Sequence, residues 1–257
     1  MSRFLLRLAN GIFTLALALG FVIAGAYACY ALWDNNQIYA AVENAQADLL
    51  KIKPVVEEAE EGISFEEILK INDQVRAWIT LDNTKIDHPV VQGTDNFTYV
   101  NTDVYGEFSL SGSIFLDCRC DGSFGDPYSL LYGHHMENSG MFGDLDLYKD
   151  EEFFRENQGG TLILPEGSFE LQVFACMLVN ASEDVIFDPT MWNQGTEGLL
   201  SFTRETAMYL DENVLEQLEA DPQGQILALS TCASEFTDAR TIVLTRMVPT
   251  AGQTAEG

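Results

Sequence analysis

From Trp78 onward the chain is cut into short apolar runs by turn residues, and this cadence limits the fold more than any other feature. The runs occupy residues 78–80, 86–91, 112–116, 129–132, 161–164, 169–179, 225–230 and 241–248. Runs this short, rich in Val, Ile, Leu and Phe and bounded by Gly, Pro, Asp and Asn, read as strands of an all-β barrel or sandwich. Asp82-Asn83 and Pro165-Glu166-Gly167-Ser168 have turn chemistry. The second joins two apolar runs and predicts a hairpin. The chain carries no internal repeat.

Three stretches break the pattern. The interval 180–225 is too long for a plain loop in a compact barrel. Leu199, Phe202 and Leu210, then Val214, Leu215 and Leu218, recur at helical spacing there. One or two helices inserted between the sixth and seventh strands are expected. Ahead of the strands, Ser64-Phe65-Glu66-Glu67 fits a capping box. It predicts a short helix with Phe65, Ile68, Leu69 and Val75 on its apolar side. Further upstream, residues 12–32 carry no charge. As a helix they measure about 31 Å, enough to cross a bilayer core.

Arg3 and Arg7 precede that span and Asp34 follows it, which places the N-terminus inside and the bulk of the chain outside. Ala26-Tyr27-Ala28 resembles a signal-peptidase site, but the apolar core exceeds the usual signal length, so an uncleaved signal-anchor is expected. Cys29 lacks the branched aliphatic that precedes a lipidated cysteine. Expected segments are a short cytoplasmic N-terminus (1–11), the anchor (12–32), an acidic helical stalk (33–62) interrupted at Lys53-Pro54, a catalytic domain (63–248) and a flexible tail (249–257). The acidic run 57–61 reads as a solvated face.

Composition excludes some functions. Thirteen Lys+Arg against 40 Asp+Glu leave a net charge of −27. A chain so acidic is repelled by nucleic acid and does not bind anionic polymers by charge. Five cysteines rule out a complete set of intrachain disulfides. Cys118-Arg119-Cys120 beside His134-His135 is the nearest approach to a metal site, but Cys-x-Cys is not a zinc spacing. No metal and no cofactor is expected. Forty acids leave no carboxylate pair distinguishable by spacing, and Asp144 and Asp146 read as loop residues.

One stretch carries chemistry. Ile226-Leu227-Ala228-Leu229-Ser230-Thr231-Cys232 is an apolar run ending in small polar residues and a cysteine. A strand-terminal thiol sits at a sheet rim, where substrate reaches it. It needs a base or a cation to favour thiolate. There are three histidines. His88, before Pro89 in a strand, reads as structural. His134 and His135 end the run Ser129-Leu130-Leu131-Tyr132-Gly133, where glycine permits a sharp turn, and either can be the base. Arg240 opens the run after Cys232. It reads either as an oxyanion stabiliser or as a surface cation paired with Asp238 or Glu235.

Leu229-Ser230-Thr231-Cys232 followed by Arg240, with Tyr132-Gly133-His134-His135-Met136 upstream, resembles the sortases, and among them the class B sortases of Gram-positive bacteria. Val90-Val91-Gln92-Gly93-Thr94-Asp95-Asn96 with Tyr99, the run Gly112-Ser113-Ile114-Phe115-Leu116-Asp117, and Met141-Phe142 extend the likeness over residues 65–248. The family usually has Thr where this chain has Ala228. It places its histidine directly after glycine, which selects His134, with His135 as a neighbour.

The resemblance implies an eight-stranded β-barrel with N-terminal helices and a helical insertion between strands six and seven. It implies a membrane-anchored cysteine transpeptidase, with the catalytic domain outside a single-pass cell-membrane anchor. Cys232 attacks a C-terminal sorting motif, His134 acts as acid and base, and Arg240 stabilises the oxyanion. Asn96, Ser230 and Thr231 line the groove. The partners implied are the sorting-signal peptide of secreted surface proteins and an amine acceptor from peptidoglycan precursor or pilin. An inactive sortase-like assembly module is the first alternative. An exported cysteine peptidase or amidase is the second, although such enzymes place Cys before His.

Overall fold

The computed structural model describes residues 2–54, 65–136, 139–232 and 238–250, with backbone alone for Ser2, Ile38, Tyr39, Ala41, Val42 and Cys232. The chain forms two compact units, Met1–Glu43 and Asn44–Gly257. Helix α1 runs over Ser2–Leu49. Its stretch Arg3–Gln37 holds an 18-residue segment with a mean hydropathy of 2.2 and is long and apolar enough to cross a membrane. The residues of α1 that belong to the second unit are tied to it. Gln46 Nε2 donates to the carbonyls of Lys85 (3.0 Å) and Asp87 (3.4 Å).

The second unit is a closed barrel. Its strands are β1 (Val75–Leu81), β2 (Asp87–Val91), β3 (Ile114–Leu116), β4 (Tyr128–Tyr132), β5 (Gly159–Leu164), β6 (Gly167–Asn180), β7 (Tyr209–Leu210), β8 (Gln225–Cys232) and β9 (Ala239–Pro249). Spatial order is β5-β1-β2-β3-β4-β8-β9-β6, and pairing of β5 with β6 closes the ring at eight strands. The two-residue β7 only edges β6. Each of the eight apolar runs is a strand. Residues 165–166 turn the β5–β6 hairpin, since Leu164 pairs with Gly167. Two neighbours are parallel, β2 with β3 and β4 with β8.

β6 and β8 flank β9, each antiparallel to it, and so run parallel to each other; joining them requires a crossover, and helices supply it by covering the outer face. Helices α2 (Glu66–Ile71) and α3 (Glu151–Glu156) precede β1 and β5, and between β6 and β8 lie α4 (Asp184–Phe187), a 3-10 turn (Pro189–Trp192), α5 (Glu197–Thr206) and α6 (Glu212–Ala220). The insertion therefore holds three helices, not one or two. Leu210 is strand, because Asp211 caps the next helix, accepting from the Asn213 and Val214 N–H groups. Ile186, Trp192, Leu199, Leu215 and Leu218 form one core with Ile226, Ala228, Ile242 and Leu244. Alternation sends Leu227, Leu229 and Val243, all fully buried, to the opposite, inner face. Burial on both faces is why β8 reads as a continuous apolar run.

A smaller core covers β1 and β2, where Phe65 and Ile68 meet Val75, Trp78 and Val91. Helix α2 spans Glu66–Ile71, and its N-cap is Phe65, with no side-chain cap bond. Val75 opens β1 rather than extending the helix, since α2 has ended at Ile71. The expected cap at Ser64, the acidic run 57–61, Glu235 and the tail from 251 lie outside the described residues. Gly112 belongs to a turn and not to β3: its φ is +55°, and a Cβ there would come 2.4 Å from the Val100 carbonyl oxygen.

His88 fits the structural reading. Val91 packs in the outer core, so alternation turns Val90 and His88 inward. His88 is 5% exposed, and its Nε2 has no partner among the described residues. Burial pushes its pKa from 6.5 down to about 4. The unfolded chain then binds a proton that the native barrel refuses between those values. Stability from this group is complete above pH 6.5 and is lost as pH falls towards 4, by about 3 kcal/mol. Chemical denaturation at pH 7 and pH 4 is expected to show this loss. His88→Leu is expected to remove most of it, and an unchanged pH dependence in that variant rejects the assignment.

Candidate active site

Three consecutive strands in the sheet, β4, β8 and β9, bring the expected residues to one rim. Tyr132 at the end of β4 pairs with Ser230 of β8, and the Gly133 N–H donates to the Ser230 carbonyl (3.1 Å). His134 follows at once. On the other side of β8, Cys232 pairs with Arg240 at the start of β9. The eight-residue step in sequence is thus a direct backbone pairing. Gly133 is needed for packing and not for a turn: its φ is not positive, and a Cβ would lie 2.5 Å from Ile114 Cδ1 and 2.7 Å from Phe142 Cδ2.

A cavity of about 390 Å³ opens at this rim. His134, Arg240, Asn96, Ser230 and Thr231 all line it, together with Tyr132, Phe115 and Phe187. The side chain of Cys232 is outside the described residues. Ser230 and Thr231 are 2% exposed, and Thr231 Oγ1 has no partner among the described residues.

The two histidines have separate partners. His134 Nε2 lies 2.8 Å from the Val100 carbonyl. A carbonyl only accepts, so Nε2 carries the hydrogen, and Nδ1 is the nitrogen left to exchange a proton. His135 does not line the cavity. Its Nε2 contacts Asp146 Oδ2 at 3.1 Å, and Asp146 Oδ1 also accepts from Thr241 Oγ1 (2.9 Å) and pairs with Lys149 (3.0 Å). Asp144 and Asp146 therefore belong to a 3-10 turn, Gly143–Lys149, and not to a free loop. Asp144 is buried and accepts from the Lys85 N–H (2.7 Å).

Arg240 is half-buried. Among the described residues its one hydrogen bond is from Nη1 to the Ala239 carbonyl (2.9 Å), and no acidic side chain pairs with it there. Asp238 is exposed, with φ at 61°. Among the described residues, the guanidinium has donors without a partner, and it lines the cavity.

Behind Asn96 stands a carboxylate that sequence reasoning passed over. Asp117 is fully buried. Its oxygens accept from Asn96 Nδ2 (2.8 Å), Tyr132 OH (3.0 Å) and Arg119 Nη2 (2.8 Å) and Nε (2.9 Å). Burial acts to raise its pKa, but the hydrogen bonds and charge of Arg119 outweigh that and hold it below the usual carboxylate value. Tyr132 is pushed well above its ordinary value by burial and by that carboxylate, so it stays a neutral donor. Cys120, pushed up to about 12 chiefly by burial, is an inert thiol.

No family model matches the chain. Sortase B of Staphylococcus aureus is 29% identical over 187 residues, covering 72% of this chain and 74% of that protein. The crystal structure of a Streptococcus pyogenes class B sortase involved in pilus biogenesis superposes with a TM-score of 0.65 at 34% identity, covering 73% of this chain and all of that one. The chain belongs to the class B sortases. A Staphylococcus aureus sortase B–substrate complex superposes with a TM-score of 0.64 at 27% identity, over 73% of this chain and 85% of that one. In this class B sortase the insertion that crosses from β6 to β8 also supplies Ala181 and Phe187 to the cavity wall. Membership makes it a cysteine transpeptidase of the sortase type.

Proposed function

We propose that this sortase is held in the cell membrane by α1 and acts outside it, cutting a C-terminal sorting motif of secreted proteins and passing the acyl chain to an amine of peptidoglycan precursor or pilin. The observation that carries the reading is the meeting of β4, β8 and β9 at one cavity, with His134 and Arg240 in its wall and Cys232 at the strand end between them. The positive residues Arg3 and Arg7 before the apolar stretch favour an outside catalytic unit. A substrate complex of the Staphylococcus aureus relative favours a peptide as occupant.

In this mechanism the Cys232 thiolate adds to the scissile carbonyl. The tetrahedral oxyanion takes hydrogen bonds from Arg240, which is always charged. As the C–N bond breaks, His134 gives its Nδ1 proton to the leaving amine, and a thioester remains. An incoming amine loses a proton to His134 and attacks the thioester, and the thiolate leaves. Asn96, Ser230 and Thr231 hold the peptide. The enzyme returns to its first state with one amide broken and one made.

The test is mass spectrometry of products from a library of sorting peptides offered with glycine-based and lysine-based acceptors. The reading expects a thioacyl-enzyme adduct and an acceptor-linked product. Hydrolysis alone, with acceptors in excess, returns the chain to the exported peptidase alternative. No adduct with any peptide returns it to the inactive module.

A further inference from the structure

Four residues around the cavity form a closed circuit that ties the helical insertion to the barrel floor. Arg119, in the connection between β3 and β4, grips Asp117 through Nε and Nη2. The same guanidinium reaches the insertion, donating from Nη2 to the Phe187 carbonyl (2.6 Å) and from Nη1 to Asp188 Oδ1 (3.4 Å). Phe187 ends α4, so its carbonyl is one that the helix leaves without a partner. The Phe187 ring stacks on Tyr132, with planes 11° apart and centroids at 6.4 Å. Tyr132 OH then closes the circuit on Asp117.

Asp117 holds the barrel side of the cavity rigid, because it is fully buried and also fixes Asn96. The insertion side is held differently. Asp188 is 38% exposed, and an exposed ion pair at 3.4 Å is weak. What keeps the Phe187 ring over the cavity is therefore the stack on Tyr132 and the Arg119–Phe187 carbonyl bond. A planar fork holds Asp117 through Nε and Nη2 while Nη2 also serves Phe187; the single nitrogen of an ammonium does not reproduce that two-point grip.

We infer that Arg119 is a positioning residue, a latch that fixes Phe187 against Tyr132 as one wall of the peptide groove and so sets how tightly an apolar peptide side chain is held. The inference rests on the sorting-peptide reading for the identity of the occupant, but the latch itself does not. Arg119 touches neither the reacting carbonyl nor Cys232 in this role. Its loss acts on binding and not on bond cleavage.

The test uses the full chain in detergent and the variant Arg119→Lys, which keeps a cation on Asp117 while breaking the fork. Asp188→Asn is the second variant. It removes the exposed charge and keeps a side-chain acceptor for the Thr190 N–H at the cap. Hydrogen exchange of the segment 183–192 is read first, because the Ile186 and Phe187 amides are bonded to the Glu183 carbonyl. Arg119→Lys is expected to speed exchange there about tenfold while β4 amides keep their protection. In the second measurement, the best peptide from the library is turned over with KM raised about tenfold and kcat within about threefold. Asp188→Asn is expected to move both readouts in the same direction by less.

Unchanged exchange in Arg119→Lys overturns the latch. Faster exchange with unchanged KM, or a fall confined to kcat, overturns its role in holding the peptide. If the unmodified enzyme turns over no peptide, the functional reading fails, and the exchange measurement alone decides the latch.

Discussion

Cys232→Ala is expected to abolish both transpeptidation and capture of the thioacyl adduct, a loss on the order of 10⁴-fold or more, because no other group on the pathway can form the covalent intermediate. The fold is expected to survive. Cys232 is the last residue of β8, and its pairing with Arg240 is made by backbone atoms that alanine retains. Far-UV circular dichroism should be unchanged, with Tm within about 4 °C of the parent, the equivalent of roughly 1–2 kcal/mol in a domain of this size. Adduct formation is read by intact mass after incubation with a sorting peptide. Of the other described cysteines, Cys120 and Cys176 are buried with thiols pushed up to about 12, so neither substitutes as a nucleophile, while Cys29 is exposed and Cys118 partly exposed, so the adduct is mapped by digestion. Retained turnover in a folded Cys232→Ala protein ends the proposal.

The barrel was legible because its strands are short, apolar and punctuated. The turn chemistry of Pro165-Glu166-Gly167-Ser168 marks the hairpin by local chemistry alone, although Gly167 and Ser168 belong to β6 and the turn is only Pro165-Glu166. Closure of the ring was not legible from the residues: β5 meets β6 through a local hairpin, but its pairing with β1 is long-range, and the resemblance alone chose a barrel over a sandwich. The insertion was legible as helical but not in number. Its helices are short, and Leu210 has helical spacing from Phe202 while belonging to β7, where it is pinned by its pairing with Ala175. Val75 went the same way, since spacing from Ile68 says nothing of the chain reversal after Ile71.

The rim residues were legible for a different reason. His134 and Arg240 stand at the ends of apolar runs, and a run that stops on a polar residue marks a strand end. Asn96, Ser230 and Thr231 came from the resemblance, and all three line the cavity. Asp117 and Arg119 offered only a two-residue spacing in an acidic chain. Nothing in that spacing says that the carboxylate is fully buried or that the guanidinium reaches 69 positions along the chain to Asp188. Phe187 was equally silent, because its role depends on how the insertion folds back over β4.

His134→Ala is expected to lower kcat/KM by about 10²–10⁴-fold, the range for loss of a positioned acid–base group, whereas His135→Ala costs less than about tenfold. The difference follows from where the two rings are held. His134 lines the cavity with Nε2 committed to the Val100 carbonyl, so its Nδ1 is the nitrogen available to shuttle a proton. His135 is committed to Asp146, which also holds Thr241, the neighbour of Arg240 on β9. Removing His135 loosens that support without removing a proton carrier. A partly exposed pair of this kind is worth about 0–1 kcal/mol, so the His135→Ala protein should remain folded with a small fall in Tm. The pH–rate profile separates the two roles. His134→Ala should lose one limb of the profile, while His135→Ala should keep both limbs and change only the height. A larger loss in His135→Ala, or an intact two-limbed profile in His134→Ala, reassigns the base to His135.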